Sequence, residues 1–166
     1  DALNDAMKPF KIFKGIESDI LYDGSLDYPD VILAKFDFII ASIHSTLRMN
    51  KEKATQRLIT AIQNPYTTIL GHPTGRILLS REGYPIDHKA VIDACAQHQV
   101  IIEINANPLR LDLDYTWIPY ALEQGVKIAI NPDAHSLKGV HDIHFGTMTA
   151  RKGMLDSSNC INCMDR

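Results

Sequence analysis

Short apolar runs rich in β-branched residues recur along this chain, and each gives way to a residue that can hold a metal or move a proton. Lys127-Ile128-Ala129-Ile130 leads to Asp133 and His135, Phe10 to Ile16 leads to Glu17, and Asp37 to Ile43 leads to His44. Thr67 to Gly71 leads to His72, and Val100 to Ile102 leads to Glu103 and Asn105. The runs have the length and composition of strands, and the stretches between them have helical period. In a barrel or open sheet of parallel strands, the carboxyl ends open on one face and sites are built there. That constraint makes residues far apart in sequence neighbours in space.

The most suggestive run ends in Asn131-Pro132-Asp133-Ala134-His135-Ser136. In extended chain, residues two apart point the same way, so a carboxylate and an imidazole aimed together form a half-site for a divalent metal. A surface turn with an Asx hydrogen bond explains this stretch equally well on its own. Taken together, the strand ends are more specific. Two carboxylates, Glu17 and Asp133, and three imidazoles, His44, His72 and His135, are expected to form a polynuclear metal site.

The chain has 166 residues and 45% apolar residues, which suffices for one domain with a sizeable core. The formal charge of −3 provides no global basic field to attract nucleic acid. Arg48, Lys51, Lys53 and Arg57 form a local basic cluster, read as a solvated helix face. No apolar run is long enough to span a membrane and no basic-then-apolar leader opens the chain, so a soluble cytoplasmic protein is expected. Cys95 falls in a helical pattern and reads as core. Cys160 and Cys163 form a CxxC with no second pair, no nearby histidine and no βαβ context, and are read as carrying no function.

In chain order, residues 1–7 read as the end of a helix broken by Pro9, as though the chain began inside an element. Asp27 is expected to cap a short helix carrying Pro29 and reaching Lys35. Asn50 is expected to cap a helix from Lys51 to Gln63, with Ala54, Leu58, Ala61 and Ile62 facing inward. Asp87 caps the next helix, to about Gln97, with His88 in its exposed first turn and His98 at its C-terminal end. A helix from about Tyr115 to Glu123 ends at Gly125, and another covers Phe145 to Gly153. Residues 1–155 read as one domain and 156–166 as a polar, poorly ordered tail.

Two further residues are candidate catalytic groups. Arg76, in the loop after His72, can hold a phosphate oxygen with its planar fork, although a loop arginine paired with a carboxylate is an equal reading. Glu103 lies within its strand and reads as support for the site or as a buried partner for Arg76 or Arg110.

With these residues placed, the chain resembles a PHP (polymerase and histidinol phosphatase) domain, most of all the form at the C-terminal end of bacterial and archaeal family X DNA polymerases. The resemblance runs from about Phe13 to Gly153. It rests on Gly15-Ile16-Glu17-Ser18-Asp19-Ile20-Leu21, Ala41-Ser42-Ile43-His44-Ser45, Gly71-His72-Pro73-Thr74-Gly75-Arg76, Glu103-Ile104-Asn105-Ala106-Asn107-Pro108-Leu109-Arg110 and Asn131-Pro132-Asp133-Ala134-His135-Ser136. The resemblance implies an α/β fold, a partial, distorted (β/α)7 barrel with about five parallel strands present. It further implies up to three ions of zinc, manganese or iron, with Glu17 bridging two. His44 and His72 would join Glu17 on one ion, Asp133 would hold a second and His135 the third. The motifs that supply the other ligands would lie before Asp1, so the segment alone is expected to be weak or inactive.

The implied activity is metal-dependent phosphoester hydrolysis in the intact protein, as a 3′ to 5′ exonuclease or 3′-end phosphatase in DNA repair, with Arg76 and Arg48 on the phosphate backbone. The implied partners are DNA 3′ ends and an upstream polymerase domain, with no membrane. Strand edges left exposed favour self-association. A small-molecule phosphatase of the histidinol phosphatase type and a noncatalytic scaffold for an attached polymerase are the alternatives.

Overall fold

The structure, a computed structural model, describes residues 2–164. Its centre is a five-stranded, all-parallel sheet in the order β1-β2-β3-β4-β5, so every strand lies beside its neighbour in sequence. The strands are β1 (Gly15–Asp19), β2 (Phe38–Ser42), β3 (Ile69–Leu70), β4 (Ile101–Asn105) and β5 (Ile128–Asn131). The helices are α1 (Ala2–Ala6), α2 (Asp30–Leu33), α3 (Lys51–Ile62), α4 (His88–His98), α5 (Ile118–Glu123) and α6 (Ile143–Lys152). Single 3₁₀ turns cover Tyr115–Trp117, Gly139–Asp142 and Ile161–Cys163. This is the parallel α/β sheet that the recurrent strand-to-ligand pattern predicts, and it is consistent with the partial barrel that the resemblance implies. Among the described residues no helix is long and apolar enough to cross a membrane.

Side-chain alternation sorts the strands into two faces. Ile39, Ala41, Ile43, Leu70, Ile102, Ile104, Ile128 and Ile130 join the inward residues of the helices in one buried cluster. The alternate positions, which include Glu17, Glu103, Asn105 and Asn131, lie on the opposite face. One face of the sheet therefore packs on the helices, and the other mixes these polar side chains with Phe38, Ile40, Ile69, Ile101 and Ala129.

Local signals set the helix boundaries. The Asn50 side chain accepts from the Lys53 N–H at 2.8 Å, capping α3, and the Asp87 side chain accepts from the Ala90 N–H at 3.2 Å, capping α4. Ala54, Leu58, Ala61 and Ile62 are buried as the helical period predicts. Gly125, with φ of +77°, sits just past α5 where the left-handed conformation ends a helix.

Several expectations are corrected. The first strand begins at Gly15, not Phe10, because its partner begins at Phe38 and pairs with Gly15. Phe10, Ile12 and Phe13 precede the strand and are exposed. Glu17 therefore sits mid-strand rather than at the tip. Asp27 does not cap α2, whose N-cap position is Pro29 with no side-chain bond. It accepts instead from the Ser18 Oγ at 2.6 Å and the Asp19 N–H at 3.0 Å. His88 is stacked on Trp117 at 4.5 Å between ring centroids.

Arg57 departs furthest from its expected place on a solvated face: it is fully buried. Its guanidinium donates to the carbonyls of Leu21 at 2.7 Å, Ser45 at 3.1 Å and Thr46 at 3.4 Å, and also to that of Ile20. These carbonyls follow β1 and β2, so one cation on α3 holds both strand exits together. The charge is accommodated in the interior because its donors are satisfied.

The stretch after Leu155, expected as a loose tail, packs along β5 as far as Met164; Asp165 and Arg166 lie outside the described residues. The Ile128 N–H donates to the Asn159 carbonyl at 2.9 Å, and the Asn162 side chain bonds both the N–H and the carbonyl of Ile130 at 2.8 and 2.9 Å. The outer edge of β5 is thereby covered.

Candidate metal centre

Three of the five expected ligands converge. One donor atom each from Glu17, His44 and His72 all lie within 4.8 Å of one another. Glu17 Oε1 is 3.4 Å from His44 Nε2 and 3.3 Å from His72 Nε2. The imidazole rings meet edge to face with centroids 5.1 Å apart. The convergence follows from topology, since Glu17 lies on β1 and His44 and His72 follow the adjacent strands β2 and β3.

Each histidine is held from behind. Asp19, the last residue of β1, accepts from the His44 N–H at 3.0 Å and lies 3.5 Å from His44 Nδ1, leaving Nε2 turned to Glu17. His72 follows β3 and is almost fully buried. Its backbone N–H donates to Glu103 Oε2 at 2.8 Å, while Glu103 Oε1 accepts from Asn131 Nδ2 at 2.9 Å. Gly71 permits this approach, because a Cβ there would stand 2.3 Å from the Ser42 Oγ. Asp19 was missed by the sequence reading. Its signal was available: it is two residues from Glu17 on one strand, hence on the same side.

The electrostatics follow the contacts. Hydrogen bonding to His44, then to His72, holds the Glu17 carboxyl far below the usual carboxylate range. The same bond to Glu17 raises His44, against burial and the nearby Arg110 charge. Burial raises Glu103, opposed by its bonds from Asn131 and the His72 N–H. The Glu103 side chain takes these amide donors and not an arginine, contrary to one expectation.

Asp133 and His135 do not join the group. Asp133 has φ of +50°, so the chain leaves extended geometry there, and His135 Nδ1 stands 3.8 Å from Asp133 Oδ1, away from the converged group. The Asp133 carboxylate accepts from Asn105 Nδ2 at 3.0 Å and lies 3.9 Å from Arg110 Nε. His135 is turned to solvent, its side chain 86% exposed, and its Nδ1 contacts the Asp133 carbonyl at 2.8 Å.

Arg76 is engaged elsewhere too. It donates to the Arg110 carbonyl at 2.9 Å, to Asp114 Oδ2 at 2.7 Å and to the Leu111 carbonyl. Its planar fork thus organises the 110–114 loop, the carboxylate-paired alternative of the sequence reading. Arg48 lines a cleft of about 830 Å³ with Leu47, Asn50, Arg81 and Tyr84. That cleft lies between the loops that follow His44 and His72.

No family model matches the chain. It is 44% identical over 162 residues to the DNA polymerase/3′-5′ exonuclease PolX of Bacillus subtilis, a match covering 98% of this chain and 28% of that protein. It is 36% identical over 143 residues to a probable phosphatase of Thermoanaerobacter sp. (strain X514), covering 80% of this chain and 56% of that protein. A probable phosphatase of Acetivibrio thermocellus is 31% identical over 133 residues, with 75% and 53% covered. The chain belongs to the PHP family. This PHP segment spans a little over a quarter of PolX and about half of these phosphatases.

The donor set of the PHP segment fits a divalent ion. Two neutral imidazole nitrogens and one carboxylate oxygen are common ligands of such ions. Ligand bonds of about 2.1 Å at a tetrahedral angle place donor atoms about 3.4 Å apart. The two Glu17–histidine separations have that size.

Proposed function

We propose that this PHP segment forms part of a metal-dependent phosphoesterase site that acts on DNA 3′ ends, as a 3′ to 5′ exonuclease or 3′-end phosphatase in repair. The observation that carries the reading is the approach of His44 Nε2 and His72 Nε2 to one Glu17 oxygen at 3.4 and 3.3 Å. Glu17, His44 and His72 would hold one ion of zinc, manganese or iron, and Asp133 and His135 belong to the ligands of further ions. Such ions supply an activated water at neutral pH and neutralise charge on phosphoryl oxygens.

The protein's own residues prepare that chemistry. Asp19 fixes the ring of His44, and Glu103 fixes the backbone of His72, as outer partners of metal ligands do. Arg110, near Asp133 and His44, is the cation on the ligand-bearing side and replaces Arg76 as the group that meets the phosphate. Arg48 and Arg81 in the neighbouring cleft receive the adjoining DNA backbone. The PolX relationship supports DNA as substrate and an attached polymerase domain as partner.

The test uses the longer protein that carries this segment, with manganese and a 5′-labelled DNA strand. Stepwise shortening or 3′-dephosphorylation is expected, with loss of activity in His72→Ala. No activity, or a His72→Ala variant equal to the native protein, overturns the reading. The probable-phosphatase relatives favour a second reading, hydrolysis of small phosphomonoesters. Competition between DNA ends and a small phosphomonoester separates the two. Elemental analysis showing no bound ion would leave the noncatalytic scaffold in their place.

A further inference from the structure

The Cys160–Cys163 pair has no part in the proposed metal site, and its meaning comes from its place in the fold. Residues 158–163 form a strap along the outer edge of β5, with Cys160 buried and bridged to Ile128. The chain then turns, and the Cys163 N–H donates to the Cys160 carbonyl at 3.0 Å. A turn of this kind brings the first and fourth Cα atoms within about 7 Å. That range overlaps the Cα separation of about 4.4–6.8 Å spanned by a disulfide. The two thiols are unequal, since Cys163 is exposed and Cys160 is not. Burial pushes the Cys160 thiol up, and the neighbouring Cys163 adds to the effect. The remaining cysteine, Cys95, is buried in α4.

We propose that Cys160 and Cys163 are a reversible dithiol–disulfide pair, a clip that closes the turn at the end of the strap lying along β5, with a low-molecular-weight disulfide as oxidant. Cys163, the accessible thiol, loses its proton and its thiolate attacks one sulfur of the small disulfide. That S–S bond breaks, a mixed disulfide forms on Cys163, and one small thiol leaves with the proton. Cys160 then loses its proton and attacks Cys163 Sγ. The Cys160–Cys163 bond forms as the second small thiol leaves with that proton. The protein pair is oxidised by two electrons and one small disulfide is reduced to two thiols. The bond removes freedom from the turn that ends the strap. The strap itself is anchored by Asn162 to Ile130, one residue before the Asn131 that holds Glu103.

The experiment treats the folded chain with oxidised glutathione at neutral pH and maps its thiols by alkylation and mass spectrometry. The expected product is lighter by two hydrogen atoms, linked between Cys160 and Cys163, with Cys95 still free. Three free thiols, a persistent glutathione adduct on Cys163, or a link to Cys95 would overturn the proposal. Cys160→Ser should trap the glutathione adduct on Cys163, whereas Cys163→Ser should leave Cys160 unmodified. Rapid modification of Cys160 in that second variant would refute the order of attack. In the oxidised native chain, amide exchange at Ile128 and Ile130 should slow severalfold. Unchanged exchange there would refute the clip.

Discussion

Glu17, His44 and His72, at one end of the sheet, meet around a single oxygen, while Asp133 and His135, at the other end, touch each other but stay outside that group. The second pair is two residues apart in sequence and the first set spans more than fifty. Proximity along the chain is thus a poor guide to convergence here. The first set is carried by three hydrogen-bonded neighbours, β1, β2 and β3, whose parallel register fixes the distance between residues on adjacent strands. The second pair hangs from β5 alone, and a single left-handed residue, Asp133, turns its partner to solvent. Backing differs as well. Asp19 and Glu103 hold the first set from behind and Arg57 ties the strand exits beside it, whereas the contacts of His135 are with Asp133 itself, its carbonyl and its carboxylate.

The comparison breaks most directly at the ligands. His72→Ala is expected to lower affinity of the converged group for manganese or zinc by more than about 100-fold, beyond the effect usual for loss of an outer partner. His135→Ala should change the same affinity by less than about twofold, because its side chain contributes no donor atom to that group. Isothermal titration on both variants decides whether the two ends differ as described; equal losses would erase the distinction.

Arg57→Ala should be the most damaging change away from the ligands. It leaves buried carbonyls after β1 and β2 without their donor, at a cost of about 2–4 kcal/mol read by urea unfolding. It should also weaken metal binding, since the exits of the two strands that carry Glu17 and His44 are no longer tied. Glu103→Gln keeps the shape but weakens the hold on the His72 N–H. A loss of about tenfold in metal affinity is expected, the lower end for outer partners.

The converged group should also show a pH window in the metal-free chain. The folded-state value of Glu17 lies below its ordinary 4.5, so its contribution is present above that pH and is lost as the pH falls through the lowered value. The folded-state value of His44 lies above its ordinary 6.5, so its contribution is present below that pH and is lost as the pH rises through the raised value. The pair therefore stabilises the metal-free chain most between about pH 4.5 and 6.5, a maximum that Glu17→Gln should flatten in urea titrations. The smallest effect sharpens the scaffold instead of the site. Asn50→Ala removes the cap of α3 and should cost about 1 kcal/mol of stability, with the metal affinity unchanged.

Much was legible because it is local. Asn50 and Asp87 announce their helices by capping, the apolar runs announce their strands, and the alternation of the two implies a parallel sheet with its strand ends on one side. Arg57 was illegible for the opposite reason: nothing in a helical basic cluster says which member turns inward, and its four carbonyl partners come from segments that only the fold brings to α3. Arg76 and Arg110 exchanged places for the same cause, since which arginine faces the ligands depends on a loop closed by long-range hydrogen bonds.

By itself, the order of residues determined that His44 and His72 would follow neighbouring strands and that Glu17 would share their sheet, since periodicity and β-branching act within a few residues of one another. Which donors meet was decided only in three dimensions, by strand register, by the left-handed turn at Asp133 and by the strap that covers β5. Those outcomes depend on contacts between segments distant in the chain, and no local propensity carries them.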